Sequence, residues 1–281
     1  MRRLAIFAIA LLSLGATDAS EQTRPSTATA GVHVLTPPLA MPGLDRQRTI
    51  RVYLPPSYAH GKRRYPVLYM HDGQNLFDDA TSFVGEWGVD ESMDALAKTR
   101  GIEVIVVGID NGQDKRINEL SPWANPRFGA SEGRQYMDFV VGTVKPFIDG
   151  RFRTRPGRED TGIMGSSLGA LASQYAIYQY PEVFSKAGLF SPSYWFSNEV
   201  YSFTAARHLH PGTRVYLVVG DKEGDEPAAT VANVRKMETQ LRAAGERRMS
   251  LFVAIRPGAE HKESFWKSEF PKAMIFLFGK R

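Results

Sequence analysis

The sequence predicts an α/β domain built around a mostly parallel sheet. Three observations carry that prediction: short, nearly continuous apolar runs, helical patterns lying between them, and earlier runs that only partly alternate. Taken in order, residues 20–31 are rich in Ser, Thr, Ala and Pro without apolar periodicity, and read as a disordered lead-in. Residues 32–35 and 49–54 (TIRVYL) alternate partly, as early antiparallel strands do. Residues 66–70, 104–107, 162–164, 215–219 and 251–255 are almost wholly apolar, as expected of strands buried on both faces. Between them, residues 90–99 space Met93, Leu96 and Ala97 helically, and residues 136–148 repeat Phe139, Val140, Val144 and Phe147. Further helices are predicted from Ala170 onward, over 230–244 ending at Gly245, and over 265–278. With no internal repeat or later linker, residues 32–281 form one domain.

Composition narrows the chemistry. The chain has 281 residues and no cysteine, which excludes disulfides, thiolate metal ligands and a cysteine nucleophile. A formal charge of +5 over that length is no nucleic-acid signature. Arg2 and Arg3 precede an apolar run at 4–14 and small residues up to Ala16 and Ala19, the pattern of a signal peptide over 1–19. The run is well short of the ~20 residues that span a bilayer. The expectation is an exported protein, periplasmic or extracellular, with no stable membrane insertion once the leader is removed.

Ligands of such sheets gather at the carboxyl ends of the strands. There, after 161–164, stands Gly165-Ser166-Ser167-Leu168-Gly169, followed by a helical stretch. This is G-x-S-x-G between a strand and a helix, the context in which two glycines allow a sharp turn that exposes a serine hydroxyl. Ser167 is the candidate nucleophile. It needs a base, and the base an orienting acid, in the order Ser, acid, His. Of six histidines only His208, His210 and His261 follow Ser167, and the first two precede the strand after which the acid belongs. His261 remains. The acid lies in Gly220-Asp221-Lys222-Glu223-Gly224-Asp225-Glu226, with Glu223 preferred, Asp225 second and Asp221 third. The alternating carboxylates resemble a calcium loop, but Ala232 stands where that loop needs its bidentate Glu, so no metal is expected. Two N–H donors for an oxyanion are expected at Leu168, after the nucleophile, and at Gln74, after the 66–70 strand, where Gly73 lets the backbone approach the substrate. These parts describe transfer of an acyl group from an ester through an acyl-enzyme, without a cofactor.

The residues resemble the esterase D-like family of α/β hydrolases. The resemblance runs through Tyr65 to Asp78 (YPVLYMHDGQNLFD), Trp87 to Asp90, Gly108 to Asn111, Arg116, Glu119 to Trp123, Gly165 to Gly169, Phe190 to Trp195, Gly220 to Glu223 and Gly258 to His261. It covers roughly residues 45–279 in order. It implies the α/β-hydrolase fold and places the triad acid at Glu223. It also implies an ester substrate of the kinds the family handles: siderophores, feruloylated or acetylated carbohydrates, and related small molecules. Arg116, Glu119, Trp123, Tyr194, Trp195 and Phe77, all in loops after strands, are the candidate substrate contacts. Two alternatives use the same chain: an acyltransferase that passes the acyl group to another alcohol, and a non-catalytic secreted binding protein. The intact Ser–acid–His order speaks against the second.

Overall fold

The computed structural model describes residues 24–245 and 249–280; the leader read at 1–19 and residues 20–23 lie outside the described residues. The chain opens with strands β1 (Val32–Val34), β2 (Leu39–Met41), β3 (Arg46–Arg48), β4 (Ile50–Tyr53) and β5 (Val67–His71). Helix α1 (Val89–Arg100), strand β6 (Ile105–Ile109) and the short α2 (Arg116–Glu119) follow. Helices α3 (Gly133–Phe139) and α4 (Lys145–Arg151) lead to β7 (Thr161–Ser166), α5 (Leu168–Gln179), β8 (Lys186–Phe190) and α6 (Glu199–Ala205). The chain closes with β9 (Thr213–Gly220), α7 (Pro227–Gly245), β10 (Met249–Arg256) and α8 (Glu263–Phe278). No helix among the described residues is long and apolar enough to cross a membrane.

Eight strands form one sheet in the order β1-β4-β6-β5-β7-β8-β9-β10. β1 and β4 pair antiparallel at one edge, as their partial alternation predicts, and the strands from β6 to β10 are parallel. Successive side chains of a strand point to opposite faces. On β5, Val67 and Tyr69 enter the core shared with α3, α5 and α7, while Leu68 and Met70 enter the core shared with α1 and α8. Both faces are therefore buried, which is why these strands read as unbroken apolar runs.

The structure departs from the sequence expectation at several elements. Strand β8 lies in the parallel sheet between β7 and β9 yet gave no sequence signal, because it opens on Lys186. That ammonium is buried and donates to the Glu159 carbonyl and to Ser185 Oγ, and burial lowers its pKa to about 8. The β2–β3 hairpin was also unread. The helix predicted over 136–148 is two α-helices separated by a π-helical turn at Val140–Val144. Pro146 stands just beyond that turn, lacking the N–H that a continuous helix needs. Finally, residues 24–31 are no free lead-in, since Arg24, Ser26, Thr27 and Thr29 are hydrogen-bonded to residues between 78 and 90.

What positions the turn after β7 is the tight stack beneath it. A Cβ on Gly165 would lie 2.8 Å from the Gly169 carbonyl carbon and 2.9 Å from the His71 ring. His71, at the end of β5, is buried, bonded through Nδ1 to Tyr136 Oη at 2.8 Å, with Nε2 unpartnered. Burial lowers the imidazole pKa from 6.5 to about 4; the Asp72 charge opposes that shift and Arg116 adds to it. Two outcomes are expected. Gly165→Ala should cost roughly 1–3 kcal/mol in denaturant unfolding by overpacking against backbone; an unchanged midpoint would refute the stack. For His71, the folded pKa lies below the unfolded one, so the unfolded chain binds the extra proton between pH 6.5 and about 4. Stability is thus full above that window and falls as pH drops through it. From pH 7 to 4 the wild type should lose up to about 3 kcal/mol more than His71→Gln; equal losses would contradict the assignment.

Candidate active site

Ser167 is the single residue between β7 and α5, at φ 58 and ψ −121, a conformation that costs an L-residue free energy and persists only where its surroundings enforce it. Three backbone bonds do so: its N–H donates to the Phe190 carbonyl at 2.9 Å, and its own carbonyl accepts from Leu171 and Ser193, each at 3.2 Å. The hydroxyl, half-buried, is 3.0 Å from Ser193 Oγ. Leu168 opens α5, so its N–H has no partner within the helix and stands at the positive end of the helix dipole.

The loops after β9 and β10 bring Glu223 and His261 together. His261 Nδ1 lies 2.9 Å from Glu223 Oε2, and the other carboxylate oxygen accepts from Ser191 Oγ at 2.6 Å and from the Gly220 amide at 2.7 Å. Glu223 is 1% exposed, so these donors replace the water it loses. Trp266 Nε1 donates to Ser191 Oγ at 2.8 Å, and the Trp266 ring meets the imidazole edge-on at 5.1 Å. The other two candidate acids sit elsewhere. Asp221 accepts the Gly258 amide at 2.7 Å and ties the two loops, while Asp225 is exposed. Ser167 and His261 both line a cleft of about 860 Å³ and a second of about 560 Å³. In this state the serine hydroxyl rests on Ser193.

After β5 the chain turns through Asp72, at φ 56, into a single 3₁₀ turn at Gly73–Asn75, whose first amides have no partner within the turn. Gly73 is required for a reason other than substrate approach: a Cβ there would strike Gly108 and Asp110 at 2.7 Å. Gln74 lines the larger cleft, its side-chain oxygen accepting the Asn111 amide at 3.1 Å. Asp72 receives a two-pronged contact from Arg116, at 2.6 and 2.8 Å, and a bond from Asn111 at 2.7 Å. Burial opposes its ionisation, but Arg116 and Asn111 hold its carboxyl below the usual range. Glu263, on the same cleft, is shifted the other way by burial.

The expected substrate contacts divide. Arg116 lines the larger cleft and Trp195, 58% exposed, lines the smaller. Glu119, Trp123, Tyr194 and Phe77 do not line either cleft. Glu119 is buried and paired with Arg46 at 2.8 Å and Arg48 at 2.7 Å, cations supplied by β3. Trp123 packs edge-on against Tyr175 and Phe203, Tyr194 donates to Gln174 within the core, and Phe77 is fully buried beside Gly108. Sequence reasoning missed Ser191, Ser193 and the Asp72–Arg116 pair. The Ser191-Pro192-Ser193 run after Phe190 was the visible signal, but only the third dimension brings it to Glu223 and Ser167.

The family model described as "Putative esterase" matches residues 42–277. The uncharacterized protein YbbA of Bacillus subtilis is 30% identical over 244 residues, covering 83% of this chain and 93% of that one. Among solved structures, the BES protein from Bacillus cereus has a TM-score of 0.74 at 17% identity, covering 90% of this chain and 97% of that one. An enterobactin esterase from Shigella flexneri has a TM-score of 0.72 at 17% identity, covering 90% and 60% respectively. These likenesses in shape, between α/β hydrolases, agree with the parallel sheet and its helices. With the family model running from the β2–β3 hairpin to the end of α8, the chain belongs to this esterase family and is a carboxylic ester hydrolase.

Proposed function

We propose that the protein is an exported serine esterase that cleaves its substrate through an acyl-enzyme, with Ser167, His261 and Glu223 as the triad. The single observation that carries the triad is the 2.9 Å contact between His261 Nδ1 and a Glu223 carboxylate whose other oxygen is held by Ser191 and Gly220. With Nδ1–H donating to Glu223, Nε2 is left as the acceptor, which is the tautomer a general base requires. Ser167 Oγ turns from Ser193 toward that nitrogen, loses its proton to it and attacks the ester carbonyl. The negative charge on the carbonyl oxygen is met by the amides of Leu168 and Gln74, donors fixed before the reaction begins. His261 returns the proton to the leaving alkoxide, then removes one from water to release the acid.

Export is supported by the Arg2-Arg3 pair, the apolar run at 4–14 and the small residues after it; the periplasm or the extracellular medium is the proposed location. For the substrate, the reading is a siderophore ester or an acylated, including feruloylated, carbohydrate ester. A cleft of about 860 Å³ is ample for a ligand of that size and far exceeds what an acetyl group needs. Arg116, in the larger cleft, and Trp195, in the smaller, are the proposed substrate contacts.

Hydrolysis of p-nitrophenyl acetate and butyrate tests the nucleophile. Ser167→Ala should lower kcat/KM at least about 10⁴-fold while leaving the unfolding midpoint near that of the wild type; a variant retaining most activity would refute the assignment. For the acid, Glu223→Ala should cost roughly 10³-fold or more and Asp225→Ala no more than about threefold. The reverse order would move the role to Asp225.

A further inference from the structure

Five large apolar side chains are exposed among the described residues, Val34, Phe83, Val84, Trp195 and Ile275, and two of them, Phe83 and Trp195, line the clefts. Phe83 is 85% exposed and Val84 64%, and Phe83 stands on the lining of the larger cleft with Trp87. An exposed apolar pair beside a binding cleft is a surface that gains by being covered. Yet both residues sit in the stretch from 78 to 87, which has no helix or strand to fix it. A chain of polar contacts from the N-terminal residues fixes it instead. Arg24 donates to the Ser82 carbonyl and to Asp79 Oδ2, and itself lines the cleft. Ser26 Oγ and the Thr27 amide donate to Asp78 at 2.8 and 3.1 Å. Thr27 Oγ accepts the Asp79 amide at 2.8 Å and donates to Glu86 at 3.0 Å, and the Thr29 amide donates to Asp90 at 2.7 Å. From the other side, Asn75 Oδ1 accepts the Phe83 amide at 3.1 Å and Thr81 Oγ donates to the Gln74 carbonyl at 2.8 Å.

We propose that residues 24–29 are a strap that holds the 78–87 stretch as one wall of the substrate cleft, and that Phe83, with Val84, is the specificity-determining face for a bulky apolar group of the ester. A wall already ordered does not lose that freedom again when the substrate docks, so contact with Phe83 is realised as affinity rather than spent on ordering the loop. The same logic makes the strap part of the site: the residues just after the leader must remain on the exported protein for the wall to stand. The apolar group belongs to the acyl or to the alcohol part of the ester, and the experiment separates the two.

The inference rests on Ser167 being the nucleophile, and its test is a ratio, so the two fail differently. kcat/KM is measured in an acyl series (p-nitrophenyl acetate, butyrate and octanoate) and an alcohol series (ethyl, benzyl and 2-naphthyl acetate), each ester normalised to the wild type. Phe83→Ala should lower the preference for the bulky member about 3- to 10-fold in one series, which names the part of the ester that contacts Phe83. Thr27→Ala, which removes two strap contacts, should lower the same ratio in the same series, and Arg24→Ala and Ser26→Ala should do so to a smaller degree. An unchanged ratio in both series for Phe83→Ala overturns the specificity face. Wild-type ratios in all three strap variants overturn the strap. If Thr27→Ala does not fold, the Arg24 and Ser26 variants decide. Undiminished hydrolysis by Ser167→Ala would instead strike at the nucleophile and leave the ratios to stand alone.

Discussion

The buried carboxylate of Glu223 is the constraint around which the site is organised. Removed from water, it needs donors on both oxygens, and it takes them from three different parts of the fold: the β8 loop through Ser191, the end of β9 through the Gly220 amide, and the β10 loop through His261. Trp266 on α8 fixes Ser191 in turn. Each donor therefore specifies the position of another, and the imidazole is aimed by the demands of a buried group rather than by its own contacts. A loop histidine with more than a third of its side chain exposed would otherwise sample many orientations.

A second constraint acts from below. The turn carrying Ser167 fits over His71 and Gly169 with no room for a methyl group at Gly165, so the height of the Ser167 hydroxyl above the sheet is set by the packing of β5 against β7. The stretch after β5 then serves both the larger cleft and the elbow: Asp72 turns the chain, Gly73 presses against β6, and the Gly73 and Gln74 amides have no partner within the 3₁₀ turn. Charge in this region is internally balanced, with Asp72 bound to Arg116, so the cleft presents hydrogen-bonding groups and aromatic surface more than net charge.

Much of this was legible in the sequence because it depends on local or ordinal information. Strands buried on two faces announce themselves as apolar runs, a strained strand–helix turn needs its glycines, and the order required of the proposed triad singles out His261, which the fold brings against Glu223. The misses share a physical cause as well. Strand β8 hides behind a lysine whose ammonium is satisfied by a backbone carbonyl distant in sequence. Glu119 looked like a cleft residue because its partners, Arg46 and Arg48, lie more than 70 residues earlier. Residues 24–31 have the composition of a flexible segment and are held by carboxylates and amides of another loop. The serines at 191 and 193 stand in the Phe190–Trp195 segment that carries the resemblance, but their contacts with Glu223 and Ser167 arise only where loops meet.

The central claim is that a Glu223-oriented His261 activates Ser167. The most direct measurement is covalent trapping: incubate the protein with a fluorophosphonate, digest it and locate the adduct by mass spectrometry, following the rate in wild type and in Glu223→Gln. The account predicts a single adduct on the peptide containing Ser167, formed at least about 100-fold more slowly in the variant. An adduct on another serine, no adduct in the wild type, or equal rates in the two proteins would contradict it.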